Sequence, residues 1–290
     1  TATLITLFTG CLIGSGGGVN VLRARCDGAK NDRDLRETVH TSFLICLSIG
    51  VLLLGLGIVF TPALLSLLAT KPELMDGAIL YLRIYMLGMP AMALYNFGSG
   101  VLSAVGDTKR PLYYLLGAGI LNVLLNLLFV IGFHMAEAGV AIASILSQYL
   151  SASLILLALF RSRENYGMRP DAIRLTRDKS AALLRLGIPA GFQNAIFAIA
   201  NLFIQAGVNS FDEIIVEGTA AAANADALVY DVMAAIYTAC ASSIGQNFGA
   251  GNRSRILKSY LICTAFSFGI GALLGLSLLV FDDAFLSLFT

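Results

Sequence analysis

The chain has 290 residues, 57% of them apolar and only 13% charged, with a mean hydropathy of +0.81 and a formal net charge of +1. Soluble domains carry about 25% charged residues, so the composition excludes an ordinary soluble enzyme. The near-neutral charge gives no nucleic-acid footprint.

Apolar stretches of about 20 residues, enough to cross a bilayer, recur along the whole chain. They fall near 1–22, 38–68, 77–105, 112–133, 138–160, 186–208, 218–247 and 259–281. The loop from Arg23 to Arg36, the pair Lys109 and Arg110, the stretch Arg161 to Arg185 and the turn Arg253 to Lys258 hold seventeen of the nineteen Lys and Arg. The alternate loops hold Lys71 alone, and Arg83 lies within a span. The positive-inside rule makes the basic side cytoplasmic. The expectation is a multi-pass protein of the plasma (inner) membrane, all-α, with about eight transmembrane helices.

The first two spans carry Cys11 and Cys46, and Cys26 lies in the basic loop between them. With Cys240 and Cys263 farther on, these are five cysteines without a CxxC, read as reduced small apolar residues. His40 and His134 stand alone, so no metal and no cofactor is expected. In the third span Arg83, between Tyr81 and Tyr85, reads as an interfacial anchor, and Pro90 predicts a kink. The fourth span contains "NVLLN". Asn122 and Asn126, four residues apart, share one face and read either as interhelical glue or as cavity lining.

The sixth span repeats the pattern, with Asn194, Asn201 and Gln205 along one stripe. In the seventh, Asp226 and Asp231 are the carboxylates well inside a span, where a charge costs about 2.5–3.5 kcal/mol and signals function. Asp226 shares its face with Tyr230, Met233 and Tyr237, a setting suited to an organic cation. Asp231 shares its face with Asn224, Ala235, Thr238 and Ser242, a small-residue stripe suited to helix packing, and ranks second.

"GAKND" at 28–32 and "GAGNR" at 249–253 are 221 residues apart. The same shift carries Ile49-Gly50 to Ile270-Gly271 and Val59-Phe60 to Val280-Phe281, and it aligns Ala63, Leu65, Ser66 and Leu67 with Ala284, Leu286, Ser287 and Leu288. Several matches at one ungapped offset imply an internal duplication. The shift spans six helices, an even number, so both copies cross the membrane in the same sense. Parallel repeats of this kind build transporters. The second copy stops at the counterpart of Ala69, so the expectation is a fragment.

The residues resemble the multidrug and toxic compound extrusion (MATE) family. The resemblance runs almost end to end, through "GVNVLRARCDGAKND", "YLRIYMLGMPAMALYNFGSG", "GDTKRPLYY", "HMAEAGVAIASILSQ", "LGIPAGFQN" and "GQNFGAGNRSR". It implies a twelve-helix, two-lobe fold with parallel six-helix repeats. Residues 1–160 would be an N-terminal lobe lacking its first helix, 161–185 a cytoplasmic linker and 186–290 the start of a truncated C-terminal lobe. It also implies antiport: export of organic, cationic drugs or metabolites against Na+ or H+, by a monomer among membrane lipids.

The family's fifth-helix pattern often ends in aspartate where this chain has Asn126, and an amide carries no proton near neutral pH. The binding candidates are Asp226, Tyr230, Tyr237, Asn122, Asn126, Asn194, Asn201 and Gln205, with Asp231 second. A lipid-linked precursor flippase of the same superfamily and a major facilitator transporter are the rival readings. An intramembrane enzyme lacks a catalytic set: HExxH, P-loop and GxSxG are absent.

Overall fold

Backbone amides in lipid must find partners within their own segment, which leaves an apolar chain of this kind the helix. The computed structural model describes residues 2–67, 72–208 and 211–281, and among them every regular element is helical. The helices are α1 (Ala2–Gly28), α2 (Asp32–Leu67), α3 (Pro72–Met86), α4 (Met89–Ser103), α5 (Lys109–Leu127), α6 (Glu137–Arg161), α7 (Arg177–Val208), α8 (Glu213–Gly249) and α9 (Arg253–Val280). Seven are long and apolar enough to span a membrane, or eight with α3 and α4 taken as one broken span. That pair is bent by 44° just before Pro90, where the sequence predicts a kink. The chain is therefore a multi-pass membrane protein. The matching segments at 284–288 lie outside the described residues.

The duplication is visible bond by bond. At the turn after α1, the Asp34 N–H donates to Asn31 Oδ1 at 3.1 Å; after α8, the Arg255 N–H donates to Asn252 Oδ1 at 3.1 Å. The backbone bonds Asn31 N–H to Cys26 O and Lys30 N–H to Asp27 O recur as Asn252 N–H to Asn247 O and Gly251 N–H to Phe248 O. Lys30 (φ 53°) and Gly251 (φ 70°) both take the left-handed conformation that ends a helix. Every pair differs by 221.

The same helices, α1 and α8, lie side by side and parallel. Ser242 Oγ donates to Asn20 Oδ1 at 2.9 Å, and farther along Gly245 rests on Ala24. A Cβ on Gly28 would overlap the Gln246 carbonyl oxygen, and one on Gly249 would overlap that of Arg25. The offset of 221 turns the first contact into the second, and Ala24 meets its own counterpart, Gly245. Such reciprocity defines a local two-fold axis parallel to the helices.

On its other side α1 packs along α7 at backbone distance. A Cβ on Gly14 would lie 2.5 Å from the Gly191 nitrogen, one on Gly18 would lie 3.2 Å from the Gly187 nitrogen, and Asn194 sits over Gly10. Gly10, Gly14 and Gly18 repeat every four residues, as do Gly187 and Gly191, the spacing that lets membrane helices touch backbone to backbone. α4 closes a third side, with Gly100 against the Gly16 carbonyl. Phe97, Val101, Leu102, Ile155 and Leu159 fill the adjoining core. In α8 and α9, by contrast, Gly245 is the one described residue that is buried.

Gly14→Leu should therefore wedge α1 from α7 and lower stability by about 1–3 kcal/mol. Gly17→Ala, which meets nothing within 4 Å, should leave it unchanged. Thermal midpoints of the two variants in detergent, read by loss of the monodisperse chromatographic peak, test the contact.

Candidate functional site

α5 enters from the basic end, and its apolar residues face outward except along the side that meets α6. Asn122 and Asn126 stand on that side. Asn126 Nδ2 donates to Asn122 Oδ1 at 3.0 Å, which orients both amides and leaves Asn126 Oδ1 buried without a partner. A cavity of about 270 Å³ opens beside Asn122, bounded on α6 by Ser144, Ser147, Gln148 and Ser151.

The three hydroxyl protons are already committed. Ser144 donates to Val140 O at 3.0 Å, Ser147 to Ala143 O at 2.8 Å and Ser151 to Gln148 O at 2.9 Å. Their oxygens present lone pairs to the cavity. Gln148 Oε1 is buried and has no partner; it occupies the notch at Gly88, in the bend between α3 and α4. The cavity is rich in neutral acceptors, and none of its lining residues is charged.

The other amides are placed differently. Asn194 Nδ2 donates to the Gly10 carbonyl at 3.0 Å and so joins α7 to α1. Asn201 is exposed one stretch farther along α7, and the Gln205 side chain lies outside the described residues. The stripe of the sixth span thus divides, one member holding a helix contact and another left open.

On α8, Asp226, Tyr230, Asp231 and Tyr237 are all exposed. Their faces lead to different neighbours. Met233 and Cys240, on the Asp226 side, meet Ser267 and Cys263 of α9. Ser242, eleven residues or about three turns beyond Asp231, meets Asn20 of α1. Asp231 therefore lies on the side of α8 that faces the first repeat, and Asp226 on the side that leans toward α9. Sequence spacing defines the face of each carboxylate but not its neighbour.

Gln148 was not singled out by sequence reasoning; its spacing of four from Ser144, opposite an asparagine pair, was the available signal. Among the described residues no three His, Cys, Asp or Glu side chains stand together as metal ligands, and all five cysteines are free thiols.

A bundle of apolar helices, duplicated in parallel and holding a neutral polar cavity, is the architecture of a membrane transporter. The family model described as MatE matches residues 1–128 and 189–290, and the chain belongs to that family, multidrug and toxic compound extrusion. Similar proteins include "Probable multidrug resistance protein YpnP" of Bacillus subtilis (strain 168), 36% identical over 71% of this chain and 47% of its own length. "Probable multidrug resistance protein YoeA" of the same organism is 29% identical over 99% of this chain and 63% of its own length. A solved structure described as the outward-facing conformation of a multidrug resistance MATE family transporter of the MOP superfamily has the same fold. Its TM-score is 0.88 at 22% identity, over 99% of this chain and 64% of that one. The chain thus spans less than two thirds of each. Members of this family are transporters rather than enzymes, and the major facilitator and flippase readings are not favoured.

Two buried acceptors without donors cost stability, about 1–3 kcal/mol each. Gln148→Met, similar in volume and without the polar oxygen, should leave stability unchanged or higher. An amide with a purely structural role would give the opposite sign. Thermal midpoints of the variant and the unmodified protein, compared without added ions, check this.

Proposed function

We propose that the chain is part of a secondary exporter of organic cations, and that the α5–α6 cavity holds its coupling ion. The observation that carries this reading is the chemistry of the cavity. Three serine oxygens whose protons are committed elsewhere line it together with Asn122 and Gln148, and Asn126, bonded to Asn122 one helical turn along α5, keeps a buried oxygen without a partner. A hard cation takes oxygen ligands of this kind in exchange for its hydration shell. With no carboxylate in the lining, a divalent ion would be left under-neutralised. Neutral oxygens also neither bind nor release a proton near neutral pH. The reading is a monovalent cation, Na+, rather than H+ at this place.

Asp231 supplies the complementary function. It is a carboxylate on the side of α8 that faces the first repeat, where it would attract a cationic substrate. Asp226, with Tyr230 and Tyr237, remains the second candidate for the same role. In this proposal the basic loops are cytoplasmic, residues 1–160 and 186–290 belong to two lobes joined by 161–185, and the transporter works as a monomer in the plasma membrane. α7 bridges the lobes through its contact with α1.

Measurements belong in the longest natural form of the protein, reconstituted in liposomes, with efflux of a fluorescent organic cation driven by an imposed gradient. An imposed Na+ gradient should drive efflux of the unmodified protein, and a proton gradient alone should not. Asn126→Asp should make efflux pH-sensitive. The new carboxylate favours the cation when ionised, and that gain disappears as falling pH protonates it. Asp231→Asn should lower efflux by about tenfold or more, while Asp226→Asn should lower it less. Equal efflux with and without Na+ would overturn the assignment of the cavity, and a greater loss in Asp226→Asn would restore that residue to first place.

A further inference from the structure

The segment between α6 and α7 crosses the basic end of α2, and its footing there is a histidine. Asn165 Nδ2 donates to Asp32 Oδ1 at 2.8 Å, the Thr176 N–H donates to Thr41 Oγ1 at 3.2 Å, and Thr41 Oγ1 donates to the Arg174 carbonyl at 3.2 Å. The Arg174 guanidinium pairs with Glu37 at 3.0 Å. Met168 of this segment is buried in the core, and Tyr166 covers the guanidinium of Arg23 with its ring centroid 5.1 Å away. In the middle lies His40, 2% exposed. Its Nε2 is 3.0 Å from the Arg169 backbone nitrogen and its Nδ1 is 2.7 Å from the Arg36 carbonyl oxygen.

These two partners leave the imidazole one state. A backbone N–H can only donate, so Nε2 must hold a lone pair; a carbonyl can only accept, so Nδ1 must carry the proton. That is the neutral ring. A second proton on Nε2 would set N–H against N–H at the same distance and bury a charge. The surrounding charges do not offset it. On α2, Arg36 lies one turn back and Glu37 is already shared by Arg33 and Arg174. On the strap stand Arg169 and Arg174. On α1, Arg23 is buried with Asp27 4.0 Å away, and on α7, Lys179 is paired with Asp34 at 2.9 Å.

We propose that His40 is a pH-sensitive latch: the 162–176 strap docks on the neutral ring and lifts when the ring is protonated, loosening the tie between α2 and α7. Docking is complete at high pH and is lost as pH falls on the basic side of the membrane. The latch is separate from the cation cavity, which has no titrating group.

Hydrogen–deuterium exchange of the whole protein in lipid nanodiscs tests this at about pH 8 and about pH 5. Rates are corrected for intrinsic pH dependence with an unstructured peptide. Protection over 163–176 should fall by at least about tenfold at the lower pH. In His40→Gln, whose Oε1 can accept from the Arg169 N–H and gains no proton, protection should persist at both. Unchanged protection in the unmodified protein would overturn the proposal, as would a His40→Gln variant that loses it equally. The turn at 103–109, which carries no histidine, is the internal control; an equal loss there would mean general acid loosening and would also overturn it. If His40→Gln does not fold, the comparison of strap and control turn in the unmodified protein decides alone.

Discussion

The contact on which the rest of the structure depends is backbone against backbone along α1. Inside a bilayer, apolar side chains gain little by leaving lipid for each other, so association rests on close packing and the few polar bonds it permits. α1 obtains that closeness on three sides, with Gly10, Gly14 and Gly18 against α7, Gly16 against α4, and Ala24 and Gly28 against α8. The polar bonds fall at the same places, Asn194 to the Gly10 carbonyl and Ser242 to Asn20. A helix held this way works as a post. α5 and α6 hang at the periphery of the post, which leaves room between them for a cavity.

The duplication explains why the post meets α8 as it does. Two copies of one helix, related by a rotation about an axis between them, must touch through the same residues taken in both orders. Gly28 against Gln246 and Gly249 against Arg25 meet that condition. Small residues are the economical solution at such an axis, since any bulk placed on one copy is met by its counterpart on the other. The contact lies at the basic end, beside the turns whose hydrogen bonds recur one for one. Symmetry and tight packing are therefore one feature of this end of the bundle.

Much of this was legible in the sequence, and the rest was hidden for definite reasons. The spans were readable because hydropathy over about 20 residues integrates many weak preferences. The break before Pro90 was readable because one residue removes a donor and adds a clash. The reach of α1 beyond residue 22 was not. Arg23 reads as the start of a cytoplasmic loop, yet it is buried under a strap contributed by residues more than a hundred positions away. Asn194 and Asn122 look alike as lone amides in apolar spans, and only their neighbours separate the one that ties helices from the one that lines a cavity. The same applies to the two aspartates of α8: spacing shows that they point apart, while the direction of each depends on where α1 and α9 lie.

His40 shows how far a local pattern can mislead. In the sequence it is an isolated histidine without a partner at metal-ligand spacing. In the fold it joins two segments 129 residues apart through a bond that exists in one protonation state. The cavity behaves in the opposite way. Its acceptors have no proton to lose, so its affinity for a cation should vary little with pH, whereas the strap above α2 should vary strongly. The two features stand apart in space: neutral oxygens lie between α5 and α6 within the apolar spans, and the imidazole lies at the basic end of α2 under the strap. The separation follows from dielectric cost. A group that must change charge is less expensive near water, and a group that must strip an ion of water works best where water is scarce.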